Sequence, residues 1–195
     1  MSTEMGTAPG SDGRVRCWWC LGAPEYVEYH DRDWGRPLHG DRALFELLVL
    51  ESFQSGLSWL TILRKREGFR RAFDGWDVAK IAAYGEPETE RLLGDAGIVR
   101  HRGKIEATIA NAAATLGLQE AGETLDSLLW AFAPEREGTD PPASGDDMQS
   151  MTPESKALAK ELKRRGFRFV GPTTAYSLMQ AAGLVNDHLS GCEFR

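Results

Sequence analysis

The chain of 195 residues has no uncharged run near the roughly 18 apolar residues a membrane helix needs, so a membrane partner is not expected. Its opening stretch, Met1 to Gly13, lacks the basic flank and apolar core of an export signal. Cysteine is scarce: three residues, an odd number, which argues against a disulfide framework and for a reducing, cytoplasmic setting. Strand signals are nearly missing, and only the short stretch from Glu25 to Tyr29 could pass for one. Also lacking is the basic excess common in nucleic-acid binders, since the formal charge is −6.

That charge is unevenly spread. Residues 1–13 hold Glu4 and Asp12 and no base, and residues 134–148 set five acids against Arg136. Both stretches are rich in Gly, Pro and Ser, so they read as a disordered tail (1–13) and an acidic flexible loop (about 134–150). The rest, 14–195, is balanced and fits one domain of two helical lobes. Basic clusters lie at Arg64-Lys65-Arg66, Arg100-His101-Arg102-Lys104 and Lys163-Arg164-Arg165. Charge therefore neither excludes nor requires nucleic acid.

Helix signals recur along this domain. Leu44, Leu47 and Leu48 open an apolar stripe behind Asp41, a candidate N-cap. A break at Gly56 precedes a helix from Trp59, with Ser58 as its cap. Pro87 suits a first helical turn. Ile105, Ile109, Ala112 and Leu116 share a face, with Gly117 read as the stop. Leu125, Leu128, Leu129 and Phe132 mark another helix. Thr152, Pro153 and Glu154 open the best-bounded one, which Lys163 to Arg165 and Gly166 close. A short connection leads to a last helix from Thr173 to Ala182, ended by Gly183. The fold class is all-α.

Three constellations are chemically suggestive. Cys17 and His30 are separated by twelve residues, and His188 and Cys192 by three. Two thiolates and two imidazoles make a tetrahedral zinc set with no position left for water, so the metal would be structural, joining the chain ends. Unrelated packing residues are the competing reading, and nearby Cys20 is a competing ligand. Second, Glu51 continues the stripe of Leu44, Leu47 and Leu48 at i+7, so it points inward, where an ionised carboxylate needs a partner. Either an arginine pairs it, or the helix ends near residue 50, or it faces a ligand. The six tryptophans favour a planar, cationic ligand, since Trp59, Trp18, Trp19, Tyr29 and Trp34 surround it in sequence, although core packing is the commoner use of tryptophan. Third, helix, glycine-containing hairpin and helix over 153–183 offer free N–H groups to a phosphate, unless this is a plain αα-hairpin.

Taken in order, Arg16-Cys17 with Trp19, Tyr29-His30-Asp31 through Trp34-Gly35, Gly56-Leu57-Ser58-Trp59, Asp95-Ala96-Gly97-Ile98, Arg100 to Ile105 and Leu184 to His188 resemble the type I 3-methyladenine DNA glycosylases. The resemblance spans about residues 14–192. It implies a helix-hairpin-helix glycosylase fold, a structural Zn2+ on Cys17, His30, His188 and Cys192, and a base pocket of Trp19, Tyr29, Glu51 and Trp59, with Glu51 catalytic. It further implies a wedge at Leu57 with Gln54 and Gly56, and a phosphate grip at Gly166, Gly171 and Thr173. The implied activity is monofunctional hydrolysis of the N-glycosidic bond of 3-methyladenine in alkylated double-stranded DNA, by a monomer that flips the base out. Thr173 stands where lyase relatives carry lysine, and Asn186 where relatives acting on neutral bases carry aspartate. Trp18 and the pair Ser52-Phe53 depart from the smaller residues common there. The rival readings are a bifunctional glycosylase/lyase and a non-catalytic zinc module; a filled core beside Trp59 would favour the latter.

Overall fold

A computed structural model describes residues 6–135 and 140–195. Among these residues nine α-helices, three short 3-10 helices and one two-stranded ribbon make up the regular structure. The one stretch that could pass for a strand, Glu25 to Tyr29, is part of helix α1 (Pro24–Arg32): Pro24 sits in the first turn and Glu25 complements the positive helix end. Of the disordered tail expected over 1–13, residues 1–5 lie outside the described residues, and the remainder is corrected: it enters a ribbon. Strand β1 (Thr7–Pro9) pairs antiparallel with β2 (Val15–Cys17), Thr7 opposite Cys17. The all-α expectation is therefore corrected to mostly helical with a two-stranded ribbon. Residues 136–139 of the expected acidic loop lie outside the described residues. Its later part holds a 3-10 turn, Gly145–Asp147, tied by Asp147 to Ser144, and Ser190 N–H donates to the Pro142 carbonyl.

Helix α2 (Asp41–Gln54) is central, and every residue from Leu44 to Phe53 is buried. The stripe expected there broadens to the whole circumference, as befits a helix enclosed by others. Around it stand α3 (Trp59–Ala72), α4 (Val78–Ala82), α5 (Glu86–Gly94), α6 (Arg102–Glu120) and α7 (Leu125–Trp130). Ser58 caps α3 through the Thr61 N–H. Gly117 does not stop α6. One interior glycine costs only about 1 kcal/mol, less than burying Leu118 beyond it returns, and the chain turns at Gly122, where φ is +77°.

The C-terminal pair is α8 (Pro153–Arg164) and α9 (Pro172–Ala181), packed against each other. Thr152 caps α8, its hydroxyl accepting the Ser155 N–H while Ser155 answers the Thr152 N–H. Gly166 takes φ +95° to end the helix, a value that favours glycine. Buried Asn111 of α6 then grips the hairpin backbone at both polar groups of Arg168: Oδ1 accepts its N–H at 2.7 Å and Nδ2 donates to its C=O at 3.2 Å. Beyond that clamp Phe169 is held at φ +56° with its ring exposed.

Candidate functional site

Two carboxylates are buried on α2, and their surroundings differ. Glu46 accepts from Arg66 at 2.7 Å and from Arg70 at 3.1 Å, so its charge is matched. Glu51, 5% exposed, has no ion pair among the described residues, and its Oε2 is buried without a hydrogen-bond partner. Burial alone pushes its carboxyl up to about 8. The helix runs past it to Gln54, and no arginine among the described residues reaches it, so neither mundane reading of this acid holds among those residues.

Beside Glu51 lies a cavity of about 300 Å³, whose walls include Trp19, Tyr29, Gln54 and Trp59. The Tyr29 and Trp59 rings meet tilted at 54°, centroids 5.4 Å apart. Trp19 stands edge-on to Trp34 at 4.9 Å. The Trp59 Nε1 is a second buried polar atom without a partner. Burial, and next the Glu51 carboxylate, push the Tyr29 hydroxyl well above its ordinary range. A larger groove of about 770 Å³ shares Met148 and is lined by Asn186, Asp187 and acidic-loop residues. None of the buried, unpartnered side-chain atoms found among the described residues lies in it, so the smaller cavity is the better candidate for a specific ligand.

Every base-pocket residue expected from sequence lines this cavity, as do Trp18 and Trp34 from the aromatic company expected around Glu51; they are joined by Tyr26, Met148, Ser177 and Gln180, which the sequence reading left out. Ser177 and Gln180 arrive on α9, one and two turns beyond exposed Thr173. Asp187 does not enter. It accepts from the Tyr176 hydroxyl at 2.6 Å and Gln180 Nε2 at 2.7 Å, while Asn186 accepts the His188 N–H.

At the rim, α2 ends in Ser55, Gly56 at φ +82° and Leu57, whose apolar side chain is exposed. Lys104, absent from the expected site, fixes this end. Its ammonium is buried without an anion and donates to the carbonyls of Phe53 at 2.8 Å and Ser55 at 2.6 Å. A cation there also suits the negative end of the α2 dipole. Gly166 and Gly171 bracket the hairpin and are exposed, like Thr173.

The second cluster joins the chain ends. Donor atoms of Cys17, His30, His188 and Cys192 all lie within 4.8 Å of one another, and all four residues are buried. Such a set is able to hold a metal ion, and its surroundings fit one. His30 Nδ1 faces Asp31 at 2.8 Å and leaves Nε2 toward the cluster; His188 Nε2 faces the Trp34 carbonyl at 3.1 Å and leaves Nδ1. Backbone N–H groups of Leu189 and Phe194 point at the Cys17 and Cys192 sulfurs. Second contacts of this kind orient metal ligands. Cys20 is not a member; its thiol donates to the Cys17 carbonyl.

No helix among the described residues is long and apolar enough to cross a membrane. The family model for methyladenine glycosylase matches residues 19–195. DNA-3-methyladenine glycosylase 1 of Escherichia coli (strain K12) is 47% identical over 177 residues, covering 91% of this chain and 95% of the relative. A crystal structure of 3-methyladenine DNA glycosylase I is similar with a TM-score of 0.88 and 49% identity, over 91% of this chain and 98% of that one. A variant of 3-methyladenine DNA glycosylase I in complex with 3-methyladenine scores 0.86 at 36% identity, over 92% and 96% of the two chains. The chain belongs to the methyladenine glycosylase family.

Proposed function

We propose that this protein is a monofunctional DNA-3-methyladenine glycosylase of base-excision repair, acting as a monomer on alkylated double-stranded DNA in the cytoplasm. The observation that carries the reading is Glu51, a buried acid with no ion pair among the described residues and an unpartnered Oε2, at the wall of an aromatic cavity. The relatives' names, and one crystallised with 3-methyladenine, support the same base.

The chemistry follows from the charge. Methylation at N3 gives adenine a formal positive charge and weakens its bond to the sugar. Inside a duplex the base is out of reach, so the nucleotide must be flipped out, which costs a few kcal/mol. Leu57 on its Gly56 turn would fill the gap, and stacking on Trp59 returns roughly 1–3 kcal/mol. In the cavity the cationic ring supplies the partner Glu51 lacks, which favours the ionised carboxylate and so releases its proton. Glu51, Tyr29 and the unpaired Trp59 N–H select by hydrogen bonding, because a purine with the wrong edge leaves buried polar groups unmatched. Breaking the C1′–N9 bond returns its electron pair to the ring, which departs neutral; water adds to C1′ and loses a proton to solvent.

We read the hairpin from Gly166 to Thr173 as a phosphate-holding helix-hairpin-helix element. Two thiolates and two imidazoles suit a structural Zn2+, which would hold the chain ends together and take no part in the reaction. The test is incubation with methylated DNA and identification of the base set free. Release of 3-methyladenine without covalent trapping on DNA by borohydride is expected; no released base, or a trapped adduct, overturns the reading.

A further inference from the structure

Strand β1 and the turn that leads to β2 precede both the residues matched by the family model and the resemblance that begins near residue 14, so the shared activity does not account for them. The hairpin is nonetheless tied to the Cys/His cluster through one side chain. Arg16, 3% exposed, has its guanidinium filled. Its Nε donates to Asp31 Oδ1 at 2.9 Å and Nη2 to Asp31 Oδ2 at 2.8 Å. On the other side Nη1 and Nη2 donate to the two oxygens of Asp12, each at 2.7 Å, and Nη1 also reaches the Arg14 carbonyl. Asp31 in turn holds His30 Nδ1 at 2.8 Å.

A histidine that binds metal through Nε2 keeps its proton on Nδ1, and an acceptor there fixes both tautomer and ring angle. Asp31 is that acceptor, and it is aimed by Arg16. The two-point contact with Asp31 sets the plane of the guanidinium, and Asp12 holds its other edge from the hairpin side. From this geometry we infer that Asp12, Arg16 and Asp31 form a relay by which the N-terminal hairpin slows loss of metal from the His30 site. The inference rests on the structural zinc proposed above.

The relay is distinct from simple docking of the hairpin. Arg14 helps dock it, bonding Glu193 and lying over the Phe194 ring at 3.9 Å, yet its side chain touches neither Arg16's carboxylates nor His30. The experiment is zinc release from the full, zinc-loaded chain into excess chelator, followed by a zinc-sensitive dye. Loss of a residue bonded to a metal ligand typically weakens metal binding roughly 10- to 100-fold. Release roughly 10- to 100-fold faster is therefore expected for Asp31→Ala and, one bond further out, about 3- to 10-fold faster for Asp12→Ala. Arg14→Ala should release near the wild-type rate, and base excision by loaded Asp12→Ala should be unchanged. Wild-type release by Asp12→Ala, or equal acceleration by Arg14→Ala, overturns the relay. A wild-type chain that binds no zinc when titrated with it removes the metal site itself, and the relay with it.

Discussion

Replacing Glu51 by Gln removes a charge and little else, so its effect on stability isolates the burial of that carboxyl. In the unfolded chain the group ionises above about pH 4.5; in the folded chain burial holds it to about 8. Between those values the folded state binds more protons than the unfolded one, so stability falls as pH rises. The penalty is absent below the lower value and complete above the higher one. At 1.36 kcal/mol per pKa unit, wild type should lose roughly 4 kcal/mol relative to Glu51→Gln between about pH 5 and pH 9. Full burial means solvent screening does not reduce this much. Urea unfolding of both proteins across that range, without DNA, measures it. A stability difference that stays flat with pH would refute the reasoning, because it would mean the acid is already matched or wet.

Other expectations follow from particular contacts. Lys104→Met leaves the Phe53 and Ser55 carbonyls without their donor, at about 1–3 kcal/mol in a denaturation midpoint. The loosened Leu57 turn should also slow single-turnover excision. Trp59→Ala should reduce excision roughly 5- to 150-fold, the equivalent of 1–3 kcal/mol of lost stacking, measured under single-turnover conditions. Phe169→Ala, at an exposed position, should weaken binding to abasic-site DNA while leaving the melting temperature within about a degree, since little packing is lost and Ala keeps the Cβ of the left-handed residue. Chelation of zinc should unfold the Cys17 to His30 and His188 to Cys192 segments, seen as increased amide exchange there.

What could be read from residue order was whatever local chemistry determines. Thr152-Pro153 and Gly166 bound α8 because caps and positive φ are short-range demands, and Glu51 turned inward because its spacing from Leu44 and Leu48 is helical. The ribbon escaped because its turn, Gly10 to Gly13, carries the composition of a tail; its order comes from Asp12 meeting Arg16 and from Glu193 pairing with Val15. Glu25 to Tyr29 is locally ambiguous, with aromatic and β-branched residues suited to a strand; in the helix it forms, Tyr29 and His30 are buried. Lys104, Ser177 and Gln180 come from α6 and α9, and only packing brings them to the end of α2 and the cavity. Lys104 stands in the sequence only as a member of the basic run from Arg100, and nothing local marks it as the buried one.

The most direct measurement is single-turnover release of 3-methyladenine from methylated duplex DNA by wild type and Glu51→Gln, at saturating protein. A charged hydrogen bond made only by the carboxylate is worth roughly 1.5–3 kcal/mol. Release should therefore fall about 10- to 100-fold with affinity for abasic-site DNA unchanged. Release at the wild-type rate would contradict the account.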